Sequence, residues 1–170
     1  MKIPVILLLL LLAISSCKQP QQSQVDSNKT QLLETNSCPG CELKGAILSD
    51  ADLSSADLSG ANLNGANLSS AKLTGANLSG AFLDSTELNQ ANLSGANLSN
   101  AGLAGANLTG ADLSGANLNS AYLRGANLSG SILNNADFKD ADLSHAKMEG
   151  TKLDGANLSG AFMPDETLKN

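Results

Sequence analysis

Few residues in this chain have types and spacing that can do chemistry. Cys38-Pro39-Gly40-Cys41 sets two thiols three residues apart across a Pro-Gly turn. In an exported chain that spacing suits a disulfide; a pair of free buried thiols and a redox-active pair are the alternatives. A thioredoxin-like role needs a βαβ surround, and none is written around this motif. A zinc site needs about four ligands, and the single histidine, His145, lies far along the chain. Ser144-His145 stands alone, without a Gly-x-Ser-x-Gly elbow or a second histidine. Asp50 and Asp52 open like a calcium loop, but the required Gly and distant Glu do not follow. No phosphate-cradling glycine loop ends in Lys. The expectation is a protein that is not an enzyme, with no catalytic residues, metal or cofactor.

What must position these residues is a five-residue phrase, of the kind Ala61-Asn62-Leu63-Asn64-Gly65, repeated without insertion from Cys41 to Asp165. Its centres run from Leu43 and Leu48 to Met163, and all are Leu except Phe138, Met148 and Met163. Two residues before each centre stands Ala, with departures at Cys41, Thr86, Ser131 and Thr151. A period of five keeps no single face on an α-helix. In an unbroken strand it would throw alternate Leu residues to opposite sides. Each phrase must therefore bend. Three extended residues followed by a two-residue corner put Ala and Leu on one side and the residue between them on the other. Ser, Asn and Gly suit the corners.

These residues resemble the pentapeptide-repeat family, whose motif is Ala-(Asp/Asn)-Leu-x-x. The resemblance covers about three quarters of the chain. It implies an all-β fold, a right-handed quadrilateral β-helix of about six coils with four phrases per coil. On that frame residues twenty apart stack on one face. Phe82, Tyr122 and Phe162 then share a face, two coils apart or about 10 Å, and form a candidate contact stripe. Asp57, Asn77, Asn97, Asn117, Asp137 and Asn157 form a column on another face, where stacked amides can hydrogen-bond. The family often dimerises through its C-terminal coil, so a homodimer through that end is an expectation.

The front of the chain reads as an address. Lys2 precedes an apolar run from Val5 to Ile14, too short to span a bilayer but suited to a secretory segment. Ile14-Ser15-Ser16-Cys17 resembles a bacterial lipobox, which implies cleavage before Cys17 and lipidation of its thiol. The expected division is residues 1–16 as lipoprotein signal peptide, 17–37 as lipidated Cys and flexible tether, and 38–170 as β-helix. Residues 18–36 are rich in Gln, Ser, Asn and Thr, the composition of a soft linker. Leu32 and Leu33 could tuck under the first coil as a lid. At the far end, Pro164 stops the pattern, and Leu168 is expected as the centre of a last partial phrase.

Charge bounds the partners. The chain carries 10 basic and 16 acidic residues, a net of −6. That repels nucleic acid and anionic headgroups, and no basic–aromatic interleaving suggests a nucleic-acid surface. Three functions follow as expectations. The first is a non-enzymatic, lipid-anchored solenoid acting as scaffold or protein-binding surface in the bacterial envelope, on the periplasmic or outer-membrane face, held to the membrane through Cys17 and meeting a protein partner not yet named. The second is a DNA-mimic gyrase-binding protein, as some relatives of the fold are. Duplex DNA carries a charge every 1.7 Å or so, about eighteen over a 30 Å tower, yet Leu88 to Gly110 has no charged residue. The third is an envelope thiol oxidoreductase using Cys38 and Cys41.

Overall fold

The computed structural model describes residues 20–169. The proposed signal peptide and Cys17 lie outside the described residues.

From Ser37 onward each phrase has one form: three extended residues, then a two-residue turn. The middle extended residue makes a single parallel bridge to the residue twenty positions on, as in Glu42 to Asn62, Ile47 to Asn67, Asp52 to Lys72 and Asp57 to Asn77. Four bridge columns therefore run up the molecule, and one turn of the solenoid takes twenty residues. Among the described residues no strand is longer than its single bridge, because the corner returns every fifth residue.

The corner works because its second residue adopts positive φ. Glycine often fills it, as at Gly60 (φ 64°) and Gly65 (φ 64°), and Asp, Ser, Asn, Gln and His take the same conformation elsewhere. A turn closed from the fourth N–H to the first carbonyl with φ > 0 at its third residue favours Gly or Asn there. Ala61 N–H closes such a turn onto Leu58 O at 3.1 Å.

In the body of the column four of the five backbone donors of a phrase bond to backbone carbonyls. In the phrase of residues 71–75, Lys72 N–H reaches back to Ala51 O at 2.9 Å, Leu73 N–H reaches forward to Asn92 O at 2.7 Å, and Gly75 N–H reaches Ser94 O at 2.9 Å. Ala71 N–H closes the corner onto Leu68 O at 3.0 Å. The remaining donor belongs to the first corner residue. Where an Asn or Asp stands outward, it serves this donor: Ser59 N–H donates to Asp57 Oδ1 at 3.1 Å and Ser69 N–H to Asn67 Oδ1 at 3.0 Å. The repeat prefers Asp or Asn between Ala and Leu because a short side-chain oxygen there reaches the amide two residues on.

The inward residues form one core. Leu centres from Leu43 to Leu143 are fully or almost fully buried, as is Phe138, and Ala fills the gaps between them. Where a polar residue replaces Ala, its hydroxyl is satisfied: Thr86 donates to Leu63 O at 2.8 Å, Ser131 to Leu128 O at 2.7 Å and Thr151 to Met148 O at 3.0 Å. Leaving such a group unpaired in this core would cost about 1–3 kcal/mol.

Two segments depart from expectation. Where composition reads as a flexible tether, the chain forms a helix, α1, Pro20–Thr35. Val25, Asn28 and Leu32 lie at i, i+3 and i+7, on one side of it, and all three are buried against the first coil. Leu32 is fully covered and acts as the expected lid, but Leu33 is half exposed and does not. The helix ends at Asn36, whose φ of 54° and N–H bond to Leu32 O at 2.8 Å make a left-handed cap. The second departure is at the C-terminus. Leu168 is not an inward centre. The chain reverses after Pro164 and Leu168 pairs antiparallel with Phe162, leaving its side chain 54% exposed. No helix among the described residues is long and apolar enough to cross a membrane.

Candidate functional site

The corner between the first two phrases carries the cysteines. Cys38 and Cys41 are joined, with Sγ atoms 1.97 Å and Cα atoms 5.4 Å apart. Gly40, at φ 66°, makes the turn between them. Cys38 is fully buried beneath α1, its sulfur 3.4 Å from Asn28 O, while Cys41 is half-buried. Thiol–disulfide exchange needs a thiolate to approach a sulfur, and α1 closes that approach at Cys38.

Ser144 and His145 occupy a corner together but face different partners. Ser144 is buried, and its hydroxyl and N–H both serve the Asp142 carboxylate. The Ser144 hydroxyl first, then its N–H and the charges of Arg124 and His145, hold the Asp142 carboxyl below the usual range, against burial, which pushes the other way. His145 Nε2 instead reaches out to Glu166 Oε1 at 3.0 Å. The geometry therefore separates the two residues that sequence sets side by side. Asp50 takes a corner with φ 58°, and Asp52 accepts bonds from Ser54 and lies 3.5 Å from Lys72 Nζ. Among the described residues no cluster of His, Cys, Asp and Glu could hold a metal ion.

The asparagine column is directional. Asn77 donates to Asp57 at 3.2 Å, Asn97 to Asn77 at 3.2 Å and Asn117 to Asn97 at 3.3 Å; a second run has Asn157 donating to Asp137 at 2.8 Å. A carboxylate only accepts, so each run begins at an Asp and the ladder breaks below Asp137. These polar side chains are occupied in holding the column.

Phe82, Tyr122 and Phe162 are different. Bridges link Phe82 to Gly102, Gly102 to Tyr122, Tyr122 to Asp142 and Asp142 to Phe162, so the three rings stand in one column with a non-aromatic residue between each pair. They are 54%, 59% and 49% exposed. Leu168, the antiparallel partner of Phe162, adds a fourth apolar group at the end of the row. Sequence reading missed it because the chain reversal carries no repeat signal.

Sequence reading also missed how the row is accommodated. An aromatic or glycine between Ala and Leu has no oxygen for the corner N–H. At Phe82 and Gly102 the corner residue one coil earlier supplies it: Asp84 N–H donates to Asn64 Oδ1 at 2.8 Å, and Ala104 N–H to Asp84 Oδ1 at 2.9 Å. The signal was present, since Asn64, Asp84 and Ala104 are spaced by twenty. Arg124 follows in the same line, with Nε 3.8 Å from Asp142 Oδ2.

Comparison with known proteins places this architecture. The family described as pentapeptide repeats matches residues 37–65, 51–90, 86–125 and 121–160. No curated protein matches. Among solved structures, a trypsin-treated form of QnrB1, a plasmid-mediated fluoroquinolone resistance protein, is 24% identical with a TM-score of 0.69, over 74% of this chain and 64% of that one. HetL, a pentapeptide repeat protein involved in heterocyst differentiation regulation in the cyanobacterium Nostoc sp. strain PCC 7120, is 31% identical over 78% of each chain, with a TM-score of 0.43. Rfr23 from the cyanobacterium Cyanothece 51142 is 29% identical over 78% of this chain and 97% of that one, with a TM-score of 0.38. With its repeats matched across most of its length, this chain belongs to the pentapeptide repeat family.

Proposed function

We propose that this protein is a non-enzymatic binding solenoid of the bacterial envelope, a right-handed four-sided column of about six coils anchored through lipid on Cys17. The observation that carries the reading is what the column leaves unused. Its Leu and Ala are consumed by the core, and its Asn, Asp and Ser largely by ladders and corners. The row Phe82, Tyr122 and Phe162 is exposed and serves none of these. Exposed apolar groups gathered in a line mark a contact surface more readily than the same groups scattered. The address rests on the lipobox-like Ile14-Ser15-Ser16-Cys17.

The test is capture of partners from envelope extracts by the full chain and by a variant with Phe82, Tyr122 and Phe162 all changed to Ala. Loss of partners from the variant supports the row as the contact; an unchanged set removes it. Labelling with a radioactive fatty acid, with Cys17→Ser as control, tests the anchor. A homodimer through the C-terminal coil belongs to the same proposal, since Met148, Leu153, Leu158 and Met163 are only half-buried at that end. Sedimentation equilibrium of wild type against Leu158→Glu decides it.

The DNA-mimic reading has less support. The outward residues Glu87, Asn107, Asn127 and Lys147 on one face, and Asp52, Lys72, Asn92 and Asp112 on the next, mix signs and neutral groups. Phosphate-like spacing would demand one continuous acidic track. The oxidoreductase reading meets the buried Cys38 sulfur.

A further inference from the structure

The row of rings has a period, and the period selects a ligand. Phe82, Tyr122 and Phe162 stand at every second coil, roughly 10 Å apart at ordinary strand spacing. They do not touch, so they lack the dry clustered centre that marks a protein hot spot. Evenly spaced flat rings on a straight face suit a straight polymer whose own repeat matches theirs. In a β-1,4-linked glycan alternate sugars turn over, and the two-sugar repeat is of this same length. The axial C–H face of a pyranose is apolar and weakly electropositive, and it stacks on the negative face of an aromatic ring.

Between Phe82 and Tyr122 the column carries Gly102, where even a Cβ would lie 3.3 Å from Asp84 Oδ1. This leaves a shallow notch with a carboxylate at its rim. Asp84 Oδ1 holds the Ala104 N–H, which leaves Oδ2 to accept another donor. A sugar between two stacked ones would set its substituent over this notch. An acetamido N–H placed there would find the Asp84 carboxylate as its acceptor. The charges agree. Asp84 and Asp142 lie along the row, and Arg124 is drawn to Asp142, so a polyanion is disfavoured and a neutral chain is not.

The geometry points to a docking track for one strand of a neutral, N-acetylated β-1,4-linked glycan, laid along the column axis over Phe82, Tyr122 and Phe162, with Asp84 reading the acetamido group. This rests on the binding-surface reading for the row and names its occupant as a polysaccharide.

The chain has one Tyr and no Trp, so its near-ultraviolet emission comes from Tyr122 alone, within the row. Chitohexaose, cellohexaose and the α-linked maltohexaose are titrated into the full chain while that emission is followed. Chitohexaose is expected to give a saturable change, cellohexaose to bind about tenfold more weakly, and maltohexaose to give no response. Phe82→Ala and Phe162→Ala should each weaken chitohexaose by about tenfold, with Phe82→Leu as a second variant that keeps bulk but loses the ring. Asp84→Asn still accepts the Ala104 N–H, and should erase the preference for chitohexaose while leaving cellohexaose binding in place. The inference is overturned by no response to chitohexaose at millimolar concentration, by equal binding of maltohexaose, by an equal affinity for cellohexaose, or by ring variants that bind as wild type does. If the triple alanine variant loses protein partners while no glycan binds, the binding-surface reading survives and the glycan track does not.

Discussion

At the N-terminal end of the column α1 lies across the first coil and buries Val25 and Leu32 over Cys38 and the first leucines. Its polar residues also have partners there. Asn28 Nδ2 donates to Glu42 O at 3.0 Å, Gln31 Nε2 to Ser37 O at 3.2 Å, and Asn36 Nδ2 to Ser54 O at 2.8 Å. The helix is amide-rich because a solenoid edge presents carbonyls that need donors. At the C-terminal end Met148, Leu153, Leu158 and Met163 are only half-buried. The backbone N–H groups of Met148, Gly150, Leu153, Gly155 and Leu158 have no backbone partner among the described residues. The reversed tail covers one side alone, where Gly160 N–H meets Lys169 O at 2.7 Å and Met163 N–H meets Thr167 O at 2.8 Å. The two ends therefore differ in kind. A covered first edge cannot accept the last edge of another copy, so stacking head to tail into an open filament is blocked. What remains available is a closed pairing of two last edges.

The strongest test of this contrast is a matched pair of substitutions. Leu32→Asp buries an unpaired carboxylate beneath the cap, and an effect of about 3–5 kcal/mol is expected. Leu168→Asp places the same group on a half-exposed residue and should stay within about 0.5 kcal/mol. Denaturant unfolding measures both. Because a solenoid's stability is nearly a sum over neighbouring coils, hydrogen exchange should locate the first loss in the coils next to α1. Equal losses from the two variants would break the comparison.

A second pair grades core against edge. Leu108→Ala removes a fully buried centre midway up the column and should cost about 2–5 kcal/mol. Leu158→Ala, at a half-buried centre with no coil above it, should cost less than half as much in the monomer. A full-sized loss at Leu158 that depends on protein concentration would mean the last edge is covered by a second copy in solution.

These ends also divide what sequence could reveal from what it could not. The centres from Leu43 to Leu143 and the corners at Gly60 or Gly65 were legible because an odd period admits one local geometry and every phrase repeats the message. The helix α1 was not. It has only Val25 and Leu32 as buried apolar residues, and its Asn and Gln read as solvated until the edge carbonyls of Ser37 and Glu42 exist to receive them. Leu168 fell in frame as a centre, yet Pro164 cannot continue the ladder and the chain turns back. Of the candidate contact row, Phe82, Tyr122 and Phe162 followed from spacing by twenty. The Asn64 and Asp84 oxygens that replace a missing outward acceptor follow the same spacing, but only the hydrogen bonds reveal their role.

A smaller effect is expected from the disulfide. Reducing Cys38–Cys41 frees a loop closed across three bonds of sequence, for which the chain-entropy relation gives about 2 kcal/mol. The loss should appear as faster exchange in α1 and the first coil and leave residues 141–169 unchanged. Uniform loosening of the column on reduction would mean that the cap is coupled to the far end.

The smallest expected effect is of acid, and it touches both ends. The Ser59 hydroxyl, then its N–H and the Asn77 amide, hold the Asp57 carboxyl below its usual range near the capped end; the bonds from Ser144, with Arg124 and His145, do the same for Asp142 near the open end. A carboxyl depressed in the folded state binds protons more readily when unfolded. Its contribution is therefore complete above the ordinary carboxylate value of 3.8, and is lost as pH falls through the depressed folded values. Asp57→Asn and Asp142→Asn should each flatten the acid limb while leaving neutral-pH stability little changed, because Asn is already common in this slot and its Oδ1 accepts the same corner N–H. The greater flattening should come from Asp142, which has the cationic neighbours Arg124 and His145 that Asp57 lacks. Equal slopes in wild type and both variants, followed by tyrosine-independent circular dichroism between pH 5 and the lowest pH at which the column holds, would mean that these bonds shape the corners without contributing to the stability of either end.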